Sequence, residues 1–496
     1  MSTITNFNVD EFDSMNVVEE YKKISVNDPV NFYTWSKKKF VDRLCAVANL
    51  QIDDHLPVGD EGKTEKLVTA TKKGAAVLDQ YLSDEIKALY HVLHQGNDIY
   101  EATLNQTNVE NNDNEFYIIQ VLGLYEPLKQ IQGQSILVPR SRPRETKLEA
   151  PIAKFISLIC DINMMRQQMM EIGYNANKLP LGKLSKKTIL KGYDVLKNIA
   201  DVIGQFNRTL LEDLSSQFYT VIPHDFGFQK MCEFVIDTLP KLKRKIEMVK
   251  ALAEIEVTTK LSEDNTDIQE DPLFYQYEQL GCKLVPVEVG SQEYLMIENY
   301  MKNTHAKIHS GYAVDIVQVF RASRNGENER FQKFSDTSNR MLLWHGSRLT
   351  NWAGILSQGL RIAPPEAPST GYMFGKGVYF ADMFSESAIY CYASSAAKNG
   401  VLLLCEVALG DMNELLSANS DADKLPLGKL STKAVGAMAP DFKEAQILED
   451  GVIVPLGNPK ERPKHEGNLL HNEYIVYNVE QLRMRYVIQV EFNYEI

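Results

Sequence analysis

Three short segments of the chain hold side chains whose types and spacing suit group-transfer chemistry. In Leu342-Leu343-Trp344-His345-Gly346-Ser347-Arg348 a short apolar strand ends in a polar, glycine-containing turn. A histidine, a glycine backbone and a hydroxyl arrive there together, which suits a ligand whose amide must meet the main chain closely. Taken alone, a histidine at a strand end is more often structural. The segment Thr370-Gly371-Tyr372-Met373-Phe374-Gly375-Lys376-Gly377-Val378-Tyr379-Phe380-Ala381-Asp382 is rich in glycine and aromatics. It lacks the GxxxxGK[ST] and GxGxxG spacings, so it is neither a Walker loop nor a dinucleotide fingerprint. Tyr390 and Tyr392 follow, and aromatic rings can sandwich a flat heterocycle. Plain core aromatics are the alternative. Asn472-Glu473-Tyr474-Ile475-Val476-Tyr477 places one carboxylate inside an otherwise apolar strand, where it needs a partner or a job. A rim position is the alternative there.

The elements that position these residues read from periodicity. Val401 to Leu409 suits a buried strand. Met484, Tyr486, Ile488, Val490, Phe492 and Tyr494 recur at a period of two, which predicts a strand with one buried face. Residues 145–260 read instead as helices forming a bundle. Ile152, Phe155, Ile156, Ile159 and Ile162 make one stripe. Ile189, Tyr193, Leu196, Ile199 and Ile203 make a second after a candidate cap at Ser185. Leu239, Leu242, Ile246, Val249, Leu252 and Ile255 make a third, with Pro240 suited to the first turn. The Met164-Met165 and Met169-Met170 pairs read as gap-filling core. Upstream, Asn111 to Glu115 reads as a turn and Phe116 to Leu122 as a strand. Lys178-Leu179-Pro180-Leu181-Gly182-Lys183-Leu184-Ser185 recurs as residues 424–431. The flanks differ, so each copy marks a loop leading into another element rather than a repeat architecture.

Composition bounds the class. The 496 residues suffice for two to four domains, with 44 % hydrophobic and 24 % charged residues as in a soluble globular protein. No apolar run is long enough to span a bilayer, and the polar, acidic start is no secretory signal. The six cysteines are scattered, which suggests neither a zinc knuckle nor a disulfide framework and fits reduced thiols inside a cell. A net charge of −13 argues against coating nucleic acid with the whole surface. Between Pro139 and Lys197, however, twelve Lys/Arg stand against five Asp/Glu, so a local basic surface is available there, with solvated helix faces as the plainer reading. Ser36-Lys37-Lys38-Lys39-Phe40 is a candidate nuclear-import cluster, with an ordinary basic surface run as the plainer reading, and Asp53 to Gly62 reads as a loop or linker.

Together the three chemistry-bearing segments closely resemble the catalytic signature of the poly(ADP-ribose) polymerase family. The match is nearly unbroken from Leu342 to Ser385 and includes Asn351 to Pro368. The family's His-Tyr-Glu triad falls on His345, Tyr379 and Glu473. The stretch from Lys147 through the first octapeptide to Tyr219-Thr220-Val221-Ile222-Pro223-His224-Asp225-Phe226-Gly227 resembles the helical regulatory domain of the DNA-damage-activated members. Leu104-Asn105-Gln106-Thr107-Asn108 and Phe116-Tyr117-Ile118-Ile119-Gln120 resemble the first half of the WGR domain. No zinc-finger region is present, which points to the smaller members of the subgroup.

The resemblance implies an α+β fold: a split-sheet ADP-ribosyltransferase domain at 285–496, a linker at 261–284, an all-α regulatory bundle at 146–260, a partial WGR-like domain at 72–145 and an undefined region at 1–71. NAD⁺ would donate ADP-ribose, and no metal would be needed. Gly346 and Ser387 would hold the nicotinamide carboxamide, with Tyr390 and Tyr379 on the two sides of the ring. His345 would bind the adenosine side, with Ser347, Asn351, Gly354 and Arg361 lining the same site. Glu473 would hydrogen-bond the nicotinamide ribose and polarise the acceptor. Implied partners are acceptor proteins, among them the enzyme itself and chromatin proteins, and damaged DNA, in the nucleus; no membrane is implied. Two departures stand out. The only tryptophans are Trp35, Trp344 and Trp352, so the Trp-Gly-Arg signature is missing and the second half of that domain reads as deleted. Glu386 stands where close relatives usually carry a lysine. Two rival readings follow: a transferase that adds single ADP-ribose units, and a catalytically idle DNA-break scaffold.

Overall fold

The computed structural model describes residues 90–92, 94–95, 98–99, 101–120 and 122–124, and 146–494 except 183, 206, 264–270, 307–310, 370–371 and 464–465. The basic cluster at 36–40, the loop at 53–62 and the region 1–71 lie outside the described residues, as do Thr370 and Gly371.

The chain divides into two units, residues 1–106 with 114–138, and residues 107–113 with 139–496. In the first, Tyr90–Val92 pairs antiparallel with Leu122–Leu124. Strands β1 (Glu101–Asn108) and β2 (Asp113–Gln120) form a two-stranded sheet. The turn between them begins earlier than the sequence suggests, and Asn112 takes a left-handed conformation there (φ 56°), which asparagine tolerates.

The second unit holds helices and a large sheet. Helix α1 is Ala150–Ile159, α2 Ile162–Glu171, α3 Lys186–Val202, α4 Arg208–Val221 and α5 Leu239–Glu263. Ser185 caps α3 as anticipated, its side chain accepting from Thr188 N. The first stripe does not hold as read. Asp161 caps a new helix with bonds from Asn163 N and Met164 N, so α1 ends before Ile162, which is exposed. Ile152, Phe155, Ile156 and Ile159 bury against Leu284, Phe320 and Leu356 of the catalytic half, not in the bundle. The bundle core comes from α2 to α5: Met165, Met169, Leu196, Phe218, Val249 and Ile255 pack together. Leu239, at the start of the third stripe, is exposed.

The tip of the β1–β2 hairpin belongs to this body. Val109 is buried in the bundle core. Thr107 N donates to Thr220 Oγ1 (3.0 Å), Val109 N to Ser216 Oγ (2.9 Å), and Met231 N to Asn112 Oδ1 (2.9 Å).

The described residues of the segment read as a linker form helix and strand. Residues 261–263 continue α5, and α6 (Pro272–Leu280) is capped by Asp271, which accepts from Phe274 N. After it come β3 (Cys282–Pro286), α7 (Gln292–Asn303), β4 (Tyr312–Arg324), β5 (Arg340–Ser347), α8 (Trp352–Gln358), β6 (Val378–Ala381), α9 (Phe384–Ala388), β7 (Asn399–Ala408), β8 (Met412–Leu415), β9 (Ser431–Ala434), β10 (Leu469–His471), β11 (Glu473–Val476) and β12 (Leu482–Tyr494). The main sheet runs β8-β9-β11-β6-β5-β7-β12-β4-β3, antiparallel throughout except for β8–β9. Helices and strands share one body, an α+β architecture. β12 has two buried faces rather than one. Met484 and Val487 join the core shared with α1 and α8, whereas Tyr486, Ile488, Val490 and Phe492 join the core under α7. A register shift opposite Leu404 and Cys405 of β7, which leaves Arg485 unpaired there, accompanies the change of face between Met484 and Tyr486.

Both copies of the repeated octapeptide are loops. Gly182 and Gly428 take nearly the same left-handed φ (+85° and +83°), Ser185 opens α3 and Ser431 opens β9.

Candidate active site

His345, Gly346 and Ser347 end β5, the strand between β6 and β7. His345 Nδ1 lies 2.8 Å from the Tyr379 carbonyl of β6. A carbonyl only accepts, so Nδ1 carries the proton. Desolvation pushes the imidazole down to about 4, helped by nearby Lys250 and opposed by that hydrogen bond. At neutral pH the ring is therefore uncharged and presents Nε2 as an acceptor.

Gly346 is required by close approach: a Cβ there would collide with the Ser387 carbonyl oxygen. Ser387 is buried on α9, and its hydroxyl donates to Trp344 O (3.0 Å), keeping lone pairs available for an incoming amide N–H. Asn351 Nδ2 donates to Ser347 Oγ (2.9 Å), and Trp352 Nε1 to Ser347 O (3.2 Å). These bonds pin the turn after β5 against α8.

Tyr379 is fixed at its hydroxyl, which donates to Gly375 O (2.8 Å) and accepts from Phe374 N (3.1 Å). Tyr477 OH donates to Phe374 O (2.7 Å), bracing the same loop. Tyr390 follows α9, and burial raises its phenol, so it keeps its proton. Glu473 opens β11 and pairs with Ala381, two residues beyond Tyr379. Its carboxyl is pushed up to about 7, by burial first and by the Glu386 charge second, against a lowering by Lys243. Among the described residues no cluster of three His, Cys, Asp or Glu side chains is placed to hold a metal.

Sequence reasoning found these residues but not the particular side chains that cover them. Lys243, Glu247, Lys250 and Glu254 follow one another along α5 at steps of four, three and four, so they share one face. Lys243 acts on Glu473, Glu247 on Tyr390 and Arg348, and Lys250 on His345. Glu254 Oε1 pairs with Arg361 Nη2 at 2.5 Å, and its Oε2 occupies the space a Cβ on Gly354 would need. Oε2 has no hydrogen-bond partner although it is buried. The regulatory helix thus lies along the cleft, with alternating charges against His345, Gly354, Arg361, Tyr390 and Glu473. The signal was present as the charged side of an amphipathic helix of which the sequence reading used only the apolar stripe.

A neutral histidine, an anchored tyrosine, a glycine–serine pair and a desolvated glutamate thus come together around neighbouring strands. Residues 291–492 match the poly(ADP-ribose) polymerase catalytic domain and residues 146–277 the regulatory domain of the same enzymes. A Zea mays protein named poly(ADP-ribose) polymerase 2 is 57 % identical, over 88 % of this chain and 77 % of its own length. The Arabidopsis thaliana protein of that name is 54 % identical over 98 % and 90 %, and the human one 39 % over 87 % and 86 %. This chain belongs to the poly(ADP-ribose) polymerase family, alongside its smaller members. It is an NAD⁺ ADP-ribosyltransferase of that type.

Proposed function

We propose that the chain is an elongating transferase of the nuclear response to DNA breaks, modifying itself, chromatin proteins and other acceptors. The observation that carries the catalytic part is the raised Glu473 carboxyl on the strand next to Tyr379. In this reading Gly346 and Ser387 hold the nicotinamide carboxamide, between Tyr379 and Tyr390. His345, Ser347, Asn351, Gly354 and Arg361 bind toward the adenosine. As the nicotinamide bond breaks, its electron pair leaves with the neutral nicotinamide and positive charge builds on the ribose. The ionised Glu473 stabilises that charge, and the acceptor hydroxyl gives its proton to the same carboxylate. Labelled NAD⁺ with gel-resolved products tests the reading: long polymer supports it, and single additions favour the rival in which Glu386 limits elongation.

Regulation follows from α5. NAD⁺ and the Glu254 side chain compete for Gly354 and Arg361, so the bundle acts as a lock. The DNA-sensing half is reduced. The alignment with the Arabidopsis thaliana relative runs over 575 positions, more than the 496 residues of this chain, so the relative has segments opposite gaps here. The missing Trp-Gly-Arg supports a reading in which one such gap falls after Leu122. The hairpin tip still bonds α4 through Thr220 and Ser216, so a contact to the lock survives. NAD⁺ turnover with and without nicked duplex measures what remains of activation.

A further inference from the structure

Asn472 Nδ2 and Tyr474 OH both reach Asp382 Oδ2, at 2.7 and 2.9 Å, and all three residues are buried. Side chains alternate along extended backbone, so His471 and Glu473 turn to the other side. On that side Glu386 of α9 meets His471, with Oε2 2.9 Å from Nδ1. The His471 side chain is fully enclosed, and that of Glu386 is 22 % exposed. A carboxylate accepts, so Nδ1–H donates to Glu386 and fixes its position. Glu386 in turn acts on Glu473.

We propose that Glu386 and His471 are a positioning pair for the transfer step: His471 anchors the Glu386 carboxylate beside Glu473, and that neighbouring charge sets how strongly Glu473 takes the acceptor's proton. The inference rests on Glu473 being the group that receives that proton. The acceptor oxygen bonds the anomeric carbon, the nicotinamide nitrogen leaves with the bond's electron pair, and the hydroxyl proton moves to Glu473. Glu473 must start ionised, yet a carboxylate with a like charge beside it is a stronger base than an isolated one. The other groups facing it are Lys243 of α5, which opposes Glu386, and the phenols of Tyr379 and Tyr390, which burial keeps protonated and therefore uncharged.

The test is the pH profile of kcat for NAD⁺ turnover by the full chain. Glu386→Gln removes the like charge, so the acidic limb moves down by about one pH unit. Glu386→Asp keeps the charge and leaves the limb near its original place. His471→Gln frees the Glu386 carboxylate from its anchor, so the limb moves and adding Glu386→Gln cancels that effect. If His471→Gln fails to fold, the Gln and Asp variants at 386 still decide. KM for NAD⁺ stays within about twofold throughout. A Glu386→Gln limb that coincides with wild type, whatever the plateau, overturns the proposal, because a purely structural role would lower kcat at every pH alike. Glu473→Gln run in parallel separates the two assignments: full polymer output from that variant rejects the role of Glu473 itself.

Discussion

Glu254 of α5 holds Arg361 at 2.5 Å while its second oxygen, buried and without a hydrogen-bond partner, fills the hollow over Gly354. A buried carboxylate oxygen without a donor costs on the order of 1–3 kcal/mol. The closed arrangement is therefore held but not comfortable. Glu254→Ala empties the hollow and frees Arg361. Basal NAD⁺ turnover is expected to rise several-fold with no DNA present, mainly through a lower KM. Steady-state kinetics on the purified full chain check this, and an unchanged KM would remove Glu254 from the lock.

Glu473→Gln keeps the shape and removes the charge. Chain elongation is expected to fall by about 10²-fold or more, with NAD⁺ binding retained. Stability should move the other way. The folded chain holds the Glu473 proton up to about 7, against an ordinary 4.5. The unfolded chain loses that proton first as pH rises, so this residue weakens the fold progressively between those values and fully above 7. The Gln variant should therefore melt a few degrees higher than wild type at pH 8 and at the same temperature at pH 4. Thermal melts at both pH values test the sign.

Ser387→Ala deletes the hydroxyl beside Gly346. Nicotinamide and benzamide-like amides should compete with NAD⁺ in the wild type and lose roughly 1 kcal/mol of affinity in the variant. The loss of the Trp344 bond is a structural cost shared by free and bound enzyme. Inhibition constants unchanged in the variant would show that the amide is read elsewhere.

In the reading that the DNA-sensing half is reduced, nicked duplex should stimulate the full chain only weakly, through the hairpin tip that bonds α4. Deleting residues 1–260 should release turnover yet lower the melting temperature. The deletion strips α1 from the sheet, including Phe155, whose ring lies 5.1 Å from Phe320. Losing one such buried aromatic costs about 3–5 kcal/mol. Turnover and melts for both chains, with and without DNA, are the measurements. Strong stimulation of the full chain rejects the weakened-sensor reading, and equal basal turnover rejects the lock.

Local pattern made much of this legible. Ser185, the strand ending at His345 and the stripe of α5 from Leu242 onward lie where residue type and period put them. What failed depends on which element meets which. Ile152 to Ile159 carry a helical stripe whose partner is the sheet, and nothing local distinguishes that from a bundle. Val487 breaks the alternation of β12 because that strand is covered on both sides. Lys243, Glu247, Lys250 and Glu254 look like any solvated charged face until the cleft is seen beneath them. The pairing of Glu386 with His471 spans 85 positions and depends on β6, α9 and β10 meeting.

In the proposed reading, the placement of α5 would make the bundle an intramolecular competitive inhibitor. Its local concentration is fixed by the chain and does not dilute, so only its tendency to lift away matters. Measured affinity for NAD⁺ is then the intrinsic affinity scaled by the fraction of molecules in which α5 has lifted. Any compound that fills the nicotinamide end and reaches past Gly354 must also evict Glu254. Binding such a compound would loosen α5 and expose its amides to hydrogen exchange, whereas one confined to Gly346 and Ser387 would leave the helix protected.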